Sequence, residues 1–159
     1  MVSFFDQLVS ETAKTYPDKC ALIFKQRQIS YAQLQQQVVE LAKGLVGIGL
    51  KRHDRVAVFL PKTPETVTSF FATSLPNGVF VPVNSVLKAP QVAHILNDCD
   101  VKILITSSDR LKALADILPN CPALKQIILV DKHPKISLSD IPTSLLSELT
   151  AAPLVHTHR

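Results

Sequence analysis

A short polar run offers the clearest candidate for chemistry in this 159-residue sequence. Thr106, Ser107, Ser108 and Asp109 follow an apolar stretch and open a helical pattern, and the free N–H groups of a helix start can bind an anion. Hydroxyl residues are also the usual N-caps, because their oxygen accepts a hydrogen bond from the first turn. We favour this structural interpretation and assign the cap to Ser108.

Asp98 and Asp100 form a carboxylate pair of the kind that can perform acid–base chemistry. Their spacing places the two side chains on opposite sides of a strand or loop, so we interpret them as a solvated helix end. No serine, cysteine or lysine lies in a sequence context that would activate it as a nucleophile. The sequence therefore predicts no catalytic residue.

The spacing of cysteine and histidine argues against metal and disulfide chemistry. Cys20, Cys99 and Cys121 form no CxxC pair and are odd in number, which indicates thiols in a reducing, cytoplasmic compartment. His156 and His158 lie two residues apart, but a metal needs three or four converging ligands. We predict no metal site and place these two histidines in a solvated tail.

The glycines do not form a phosphate-binding loop. Gly44, Gly47 and Gly49 read GxxGxG and close a helical pattern, whereas a dinucleotide-binding loop reads GxGxxG and opens a helix after a strand. We interpret Gly47 or Gly49 as a helix C-cap. Because the sequence also lacks GxxxxGK[ST], we expect this segment alone to bind no cofactor.

Composition narrows the class of protein further. Hydrophobic residues make up 47% and charged residues 19%, which is typical of a globular domain. The net charge is +4, but the 17 Lys and Arg are scattered, so nucleic-acid binding is not expected. Residues 66–87 are uncharged and long enough to span a bilayer, yet Pro76, Gly78 and Pro82 would interrupt such a helix. We predict buried core there and no membrane span.

Helical and strand patterns alternate along the chain and must position these residues. The predicted strands are 20–24 with a return strand at Ile29, then 56–60, 79–81, 101–106 and 126–130. Predicted helix starts are Ser3 with Asp6, Ser30 with Gln33 as a capping box, Thr63 with Pro64, Ala89, and Ser108. This order predicts an α/β fold with a mostly parallel sheet covered by helices on both faces.

Two stretches carry more specific predictions. In the third helix we expect a buried stripe made of Val67, Phe70, Phe71 and Leu75. The sequence NGVFVPVN at 77–84 is typical of a hairpin turn at its start, but helical patterns lie on both sides of it. We therefore predict that Asn77 and Gly78 close a helix, that a short strand follows, and that Pro82 ends its hydrogen-bond ladder.

The pattern weakens after Asp131. Residues 132–135 read as a loop, 142–149 are compatible with a short helix, and 151–159 show no periodicity. We predict an α/β subdomain over 1–131 and a linker-like tail over 132–159.

Two motifs give the chain a family resemblance. Ile29–Leu34 (ISYAQL) resembles the Leu-Thr/Ser-Tyr-x-Glu-Leu signature of the AMP-forming adenylating enzymes. Gly78–Asn84 (GVFVPVN) resembles the family's Gly-Ala-x-Tyr/Phe-Val-Pro-Leu/Val-Asp/Asn. Further phrases follow in the family's order from Ser3 to about Asp131. The superfamily includes acyl-CoA synthetases, luciferases and peptide-synthetase adenylation domains. The residues of the second motif are most similar to those of bacterial acyl-CoA ligases, including exosortase-associated ones.

The resemblance implies that this is the N-terminal subdomain of an AMP-dependent synthetase/ligase fold. Such enzymes activate a carboxylic acid as an acyl-adenylate and use ATP, magnesium and coenzyme A. Their phosphate loop, their Tyr-x-x-Thr-Glu segment, their ribose-binding Asp and their C-terminal lysine have no matching position here. The resemblance therefore assigns no catalytic, cofactor or metal residue to this chain and implies truncation before the phosphate loop.

Two functions follow as hypotheses. The chain is either an inactive N-terminal segment of an acid–thiol ligase, or it is non-catalytic, as an α/β partner-binding module or a decayed remnant. For both we expect a protein partner: the remainder of an adenylating-enzyme domain, or a second copy through exposed apolar surface.

Overall fold

The computed structural model describes residues 3–135 and 137–151. The strands are β1 (Cys20–Phe24), β2 (Arg27–Ser30), β3 (Arg55–Phe59), β4 (Val79–Pro82), β5 (Ile103–Thr106), β6 (Gln126–Leu129) and β7 (Thr143–Leu145). The helices are α1 (Gln7–Thr15), α2 (Tyr31–Gly47), α3 (Pro64–Ser74), α4 (Ala89–Asp98), α5 (Ser108–Leu114) and α6 (Leu146–Ala151), with a 3-10 turn at Leu118–Asn120.

A five-stranded parallel sheet forms the centre of the molecule, in the order β4-β3-β5-β6-β7. Helices α1, α2, α3 and α6 pack on one face, and α4 and α5 pack on the other. Successive side chains of β3 alternate between the faces: Val56 and Val58 join the first core, Ala57 and Phe59 the second. The predicted α/β fold is confirmed, and so is the separate hairpin of β1 with β2.

The start of α2 is the predicted capping box. Ser30 Oγ accepts a hydrogen bond from the Gln33 N–H at 3.2 Å, and Gln33 Oε1 accepts one from the Ser30 N–H at 2.9 Å. Thr63 holds the N-cap position of α3, with Pro64 as the first helical residue, as predicted. Its hydroxyl, however, lies 3.3 Å from that of Thr66 and caps no backbone N–H.

The predicted cap of α1 is wrong. Asp6 occupies the N-cap position, but its side chain makes no capping hydrogen bond. Gln7 Oε1 instead accepts hydrogen bonds from the N–H groups of Ser3, at 2.7 Å, and Phe4, at 3.1 Å. The side chain of the first helical residue thus binds the segment that precedes the helix and does not cap the first turn.

The predicted buried stripe of α3 is also wrong. The prediction named Val67, Phe70, Phe71 and Leu75. The residues that the structure buries are Pro64, Thr68, Ser69, Ala72 and Thr73. Small side chains lie inside because α3 packs closely along α2, where Thr68 Oγ1 is 3.5 Å from Gln37 Oε1. The larger apolar side chains are consequently buried only in part: Phe70 and Phe71 pack at the margin of the core, and Leu75 is exposed.

The turn after α3 forms as predicted. Asn77 has a left-handed backbone with φ of 62°, and the Gly78 N–H donates to the Thr73 carbonyl at 3.0 Å. A Cβ on residue 78 would lie 2.8 Å from that carbonyl oxygen, so the turn requires glycine. The uncharged stretch 66–87 is thus most of α3, this turn and β4. Within the described residues no helix is long and apolar enough to cross a membrane.

Strand β4 ends at Pro82, one residue later than predicted, but the prediction that Pro82 ends the hydrogen-bond ladder is wrong, because Val83 still bonds to β3. The Val79 and Val83 N–H groups donate to β3, to the carbonyls of Asp54 and Val58. The alternate residue Pro82 therefore turns its nitrogen to the open edge of the sheet, where it removes no hydrogen bond.

The end of α2 gives separate roles to its glycines. Ile48 is the C-cap and Gly49 follows with φ of 105°, which confirms the glycine C-cap interpretation for Gly49. Gly44 has a different role, because a Cβ there would lie 2.8 Å from Leu149 Cβ and 2.9 Å from the Leu149 carbonyl oxygen. Gly44 is the point where α6 contacts α2.

The structure places ordered elements in the stretch expected to be linker-like. Strand β7 pairs with β6 through Ile127–Thr143 and Leu129–Leu145, and α6 packs on α2. Glu148 Oε2 accepts a hydrogen bond from the Leu145 N–H at 3.0 Å and so caps α6. The division of the chain at residue 131 stays a prediction. Residues 152–159, with His156 and His158, lie outside the described residues.

Candidate functional site

Loops at the carboxyl edge of the sheet enclose a cleft of about 760 Å³. Because β3, β4 and β5 are parallel, the loops that follow them meet at this one edge, where α/β proteins commonly bind ligands. The lining includes Leu60 and Thr63 after β3, Ser85 to Ala89 after β4, and Ser107 and Arg110 after β5.

Arg110 holds two of these loops together. Its Nη1 donates to the Ser85 carbonyl at 2.7 Å, and its guanidinium carbon lies 4.7 Å from the centre of the Phe59 ring. The second contact is a cation–π interaction. Arg110 thus joins α5 to the end of β3 and to the loop after β4. We did not predict this role from the sequence, because no local pattern pairs Arg110 with Ser85 or Phe59.

Ser108 and Asp131 form a second tie, between the ends of β5 and β6. The Asp131 carboxylate accepts hydrogen bonds from the Ser108 hydroxyl at 2.7 Å and from its N–H at 2.9 Å. Burial of Asp131 acts to raise the pKa of its carboxyl, but the hydrogen bonds from Ser108 and from neighbouring backbone amides outweigh burial and hold the pKa below its ordinary value. Asp131 is therefore a stable anion that fixes this loop.

Side chains of the polar run 106–109 stabilise the fold. Thr106 is fully buried, and its hydroxyl donates to the Phe59 carbonyl at 2.8 Å. Ser107, and not Ser108, is the N-cap of α5, since its Oγ accepts the Arg110 N–H. Asp109 lies exposed in the first turn. Our assignment of the cap to Ser108 was wrong by one residue, and the structural interpretation of the run holds.

The two acids at 98 and 100 lie at the opposite edge of the sheet. Asp100 Oδ2 is 3.6 Å from Nη2 of Arg55, the first residue of β3, and Arg55 Nε donates to the Cys99 carbonyl. Asp98 is an exposed residue at the end of α4. Both acids are thus remote from the cleft.

The three cysteines differ in environment. Cys20 is exposed, Cys99 is half-buried and Cys121 is buried, and all three are free thiols. Burial raises the pKa of the Cys121 thiol, which disfavours a reactive thiolate there. Across residues 3–135 and 137–151, no three His, Cys, Asp or Glu side chains are grouped so that they could hold a metal ion.

The residues that line the cleft do not by themselves fit a nucleoside triphosphate or the metal ion that accompanies it. The chain has four glycines: three are in or just after α2, and Gly78 precedes β4. None follows the carboxyl end of a sheet strand, where a phosphate-binding loop would need them. The guanidinium of Arg110 is also engaged by Ser85 and Phe59.

Comparison with known proteins defines the class. The family model described as "AMP-binding enzyme" matches residues 9–154. The chain therefore belongs to this family, as the resemblance predicted. Within it, the chain corresponds to the N-terminal part of the AMP-forming adenylating enzymes, the acyl-CoA synthetases and ligases.

Two curated relatives show how much of such an enzyme is present. A long-chain-fatty-acid–CoA ligase of Bacillus subtilis is 28% identical over 94% of this chain, which covers 26% of that protein. A crotonobetaine/carnitine–CoA ligase of Salmonella paratyphi A is 31% identical over 91% of this chain, which covers 29% of that protein. The chain thus spans between a quarter and a third of the length of these relatives.

Solved structures share the fold. Coronafacic acid ligase from Pectobacterium brasiliense superposes with a TM-score of 0.87 over 98% of this chain and 31% of its own, at 19% identity. The N-terminal subdomain of Klebsiella oxytoca NpsA, solved with anthranilyl-AMSN, matches 66% of this chain at 30% identity and a TM-score of 0.63.

Proposed function

We propose that this chain supplies the N-terminal α/β part of an AMP-forming acid–thiol ligase, an enzyme that activates a carboxylic acid as an acyl-adenylate for transfer to a thiol. The observation that carries the proposal is the family match over residues 9–154, together with relatives that are named CoA ligases. The role of the chain is to hold one wall of the site, through the ties that Arg110 and Asp131 make at the carboxyl edge.

The chain alone is not expected to catalyse adenylation. Phosphoryl and adenylyl transfer depend on positively charged groups and metal ions that stabilise the negative charge of the transition state. ATP, magnesium and coenzyme A would need the phosphate loop, metal ligand and lysine of the rest of such an enzyme. We also propose a cytoplasmic protein, in line with its three free thiols.

ATP–pyrophosphate exchange tests this function. We expect no exchange above the protein-free blank from the 159 residues alone, with fatty acids, crotonobetaine, carnitine or anthranilate as substrate. Addition of the polypeptide that lies beyond the matched region in the Salmonella ligase should produce exchange with one of these acids. Robust exchange by the chain alone would contradict the proposal, and a stable but inactive mixture would favour the non-catalytic module.

A further inference from the structure

Helix α3 buries its small and polar side chains completely and its large apolar side chains only in part. Four inner residues are at most 5% exposed to solvent: Thr68, Ser69, Ala72 and Thr73. The apolar side chains of Val67, Phe70 and Phe71 are only partly buried. A helix at the surface of a complete globular protein shows the reverse pattern. Helix α3 is therefore built like a helix that lies between two layers.

The inner hydroxyls of α3 need no outside partner. Ser69 Oγ donates to the Glu65 carbonyl at 2.6 Å, and Thr73 Oγ1 donates to the Ser69 carbonyl at 2.8 Å. Because Ser69 and Thr73 bond to their own helix and Thr68 bonds to Gln37 of α2, this face can be buried against α2 and the sheet without an energetic penalty for lost hydrogen bonds. The burial of the polar face is thus stable, and the outward position of the apolar face is a property of the fold.

The outer apolar face continues on both sides of α3. Toward β4, the Phe5 ring stacks on Phe71 with centres 4.4 Å apart, and the Phe70 and Phe80 rings lie 4.7 Å apart. Toward the hairpin, Val67 and Phe70 share a groove of about 320 Å³ with β1. We define the apolar strip as Phe5, Ile23, Phe24, Val67, Phe70, Phe71 and Phe80.

The ends of the apolar strip are open to solvent. Ile23 is 71% exposed and Phe5 is 41% exposed. Lys62 is the one charged residue among the described residues that line the groove. A contiguous apolar surface with so little charge marks a protein interface.

We propose that the apolar strip is the surface on which the remaining part of the AMP-binding enzyme domain docks, an inference that rests on the proposed function. Solved ligases superpose on 92–98% of this chain, which accounts for only 28–36% of their length. The other polypeptide of such enzymes must pack against this part of the fold. The strip carries few charges, Lys62 in the groove and Lys25 over the Phe24 ring, and such a surface selects a partner layer that is mostly apolar at the contact.

A second copy of the chain fits the strip less well. Edge-to-edge pairing of sheets needs outward N–H groups on β4. Because Val79 and Val83 donate inward to β3, Phe80 supplies the one outward N–H of this strand and Pro82 supplies none. The edge beside the strip therefore disfavours strand pairing between copies.

The test measures binding of the 159-residue chain to the polypeptide beyond the matched region of the Salmonella paratyphi A ligase, by calorimetry and hydrogen exchange without ATP. We expect micromolar affinity and slowed exchange in 20–30 and 64–74. Ile23→Glu and Phe5→Glu should each weaken binding at least tenfold. Val46→Glu is the matched control, because Val46 is also apolar and is 51% exposed on α2, outside both the strip and the cleft; the affinity of this variant should stay within twofold of that of the unaltered chain. Circular dichroism confirms that each variant is folded.

Three results would overturn the proposal: no binding by the unaltered chain, equal weakening by the control, or protection confined to other elements. Light scattering can give a fourth result that would overturn the proposal. If the chain alone forms dimers that Ile23→Glu dissociates, the occupant is a second copy. Binding through the strip without ATP–pyrophosphate exchange would support this surface and count against the proposed function, so the two proposals fail separately.

Discussion

At the scale of single residues, the Ser108–Asp131 tie makes a pH-dependent contribution to stability. The pKa of Asp131 is held below its ordinary value in the folded protein. The stabilisation is therefore complete above the pKa that the aspartate has in the unfolded chain, and it is lost as pH falls through the lower, folded pKa. The tie is expected to be intact at neutral pH and broken in strong acid.

Ser108→Ala tests this contribution. We expect a loss of about 1 kcal/mol at neutral pH, below the usual value for a hydrogen bond to a charged group because Asp131 is exposed to solvent. The difference from the unaltered chain, measured by urea unfolding, should shrink as the pH is lowered to about 3. Ser107→Ala is the control: it removes a neutral cap at a cost of about 1 kcal/mol at both pH values. An unchanged Ser108→Ala difference in acid would contradict the assignment.

At the scale of elements, the contact of α6 with α2 depends on a missing side chain. Gly44→Ala places a Cβ 2.8 Å from Leu149 Cβ and 2.9 Å from its carbonyl oxygen, so α6 has to shift. We expect a lower melting temperature and faster hydrogen exchange in 143–151. Gly47→Ala is the matched control, since nothing lies within 4 Å of its added Cβ; it should gain about 0.5–1 kcal/mol from helix propensity. Equal gains from both variants would rule out a tight contact.

Local patterns in the sequence predicted most elements but not how they face one another. The parallel strands, the hairpin and the Ser30 capping box follow from periodicity and cap chemistry within a few residues. The orientation of α3 could not be predicted from local patterns. An apolar stripe indicates that one side of a helix is buried, but it does not indicate which part of the protein packs against that side. Strand β7, with the sequence Thr-Ser-Leu, is too short and polar to be recognised without its partner β6.

The candidate site was harder to predict than the fold. Arg110 bonds to a carbonyl 25 residues away, and Ser108 to a carboxylate 23 residues away. No local pattern encodes such pairs, since they depend on the sheet order that brings three loops to one edge. The sequence did indicate that the polar run at 106–109 serves structure, and its hydrogen bonds agree.

At the scale of the whole molecule, residues 132–151 complete the sheet and one helical layer. A chain that ends at residue 131 loses β7 and α6, and with them the burial of Leu145, Leu146 and Leu149. Since these side chains are partly buried, we expect a loss of about 2–4 kcal/mol in the free energy of unfolding. Chemical denaturation of the two chains measures it. Equal stability would support the predicted boundary at 131.

The contact between Gly44 and Leu149 also sets an order of events during synthesis. Leu149 follows Gly44 by 105 residues, and a ribosome adds about 5–20 residues each second. Helix α2 therefore waits roughly 5–20 seconds before its partner helix exists. During that interval the side of α2 at Gly44 is uncovered on the nascent chain, while its contacts with α1 and α3 can already form.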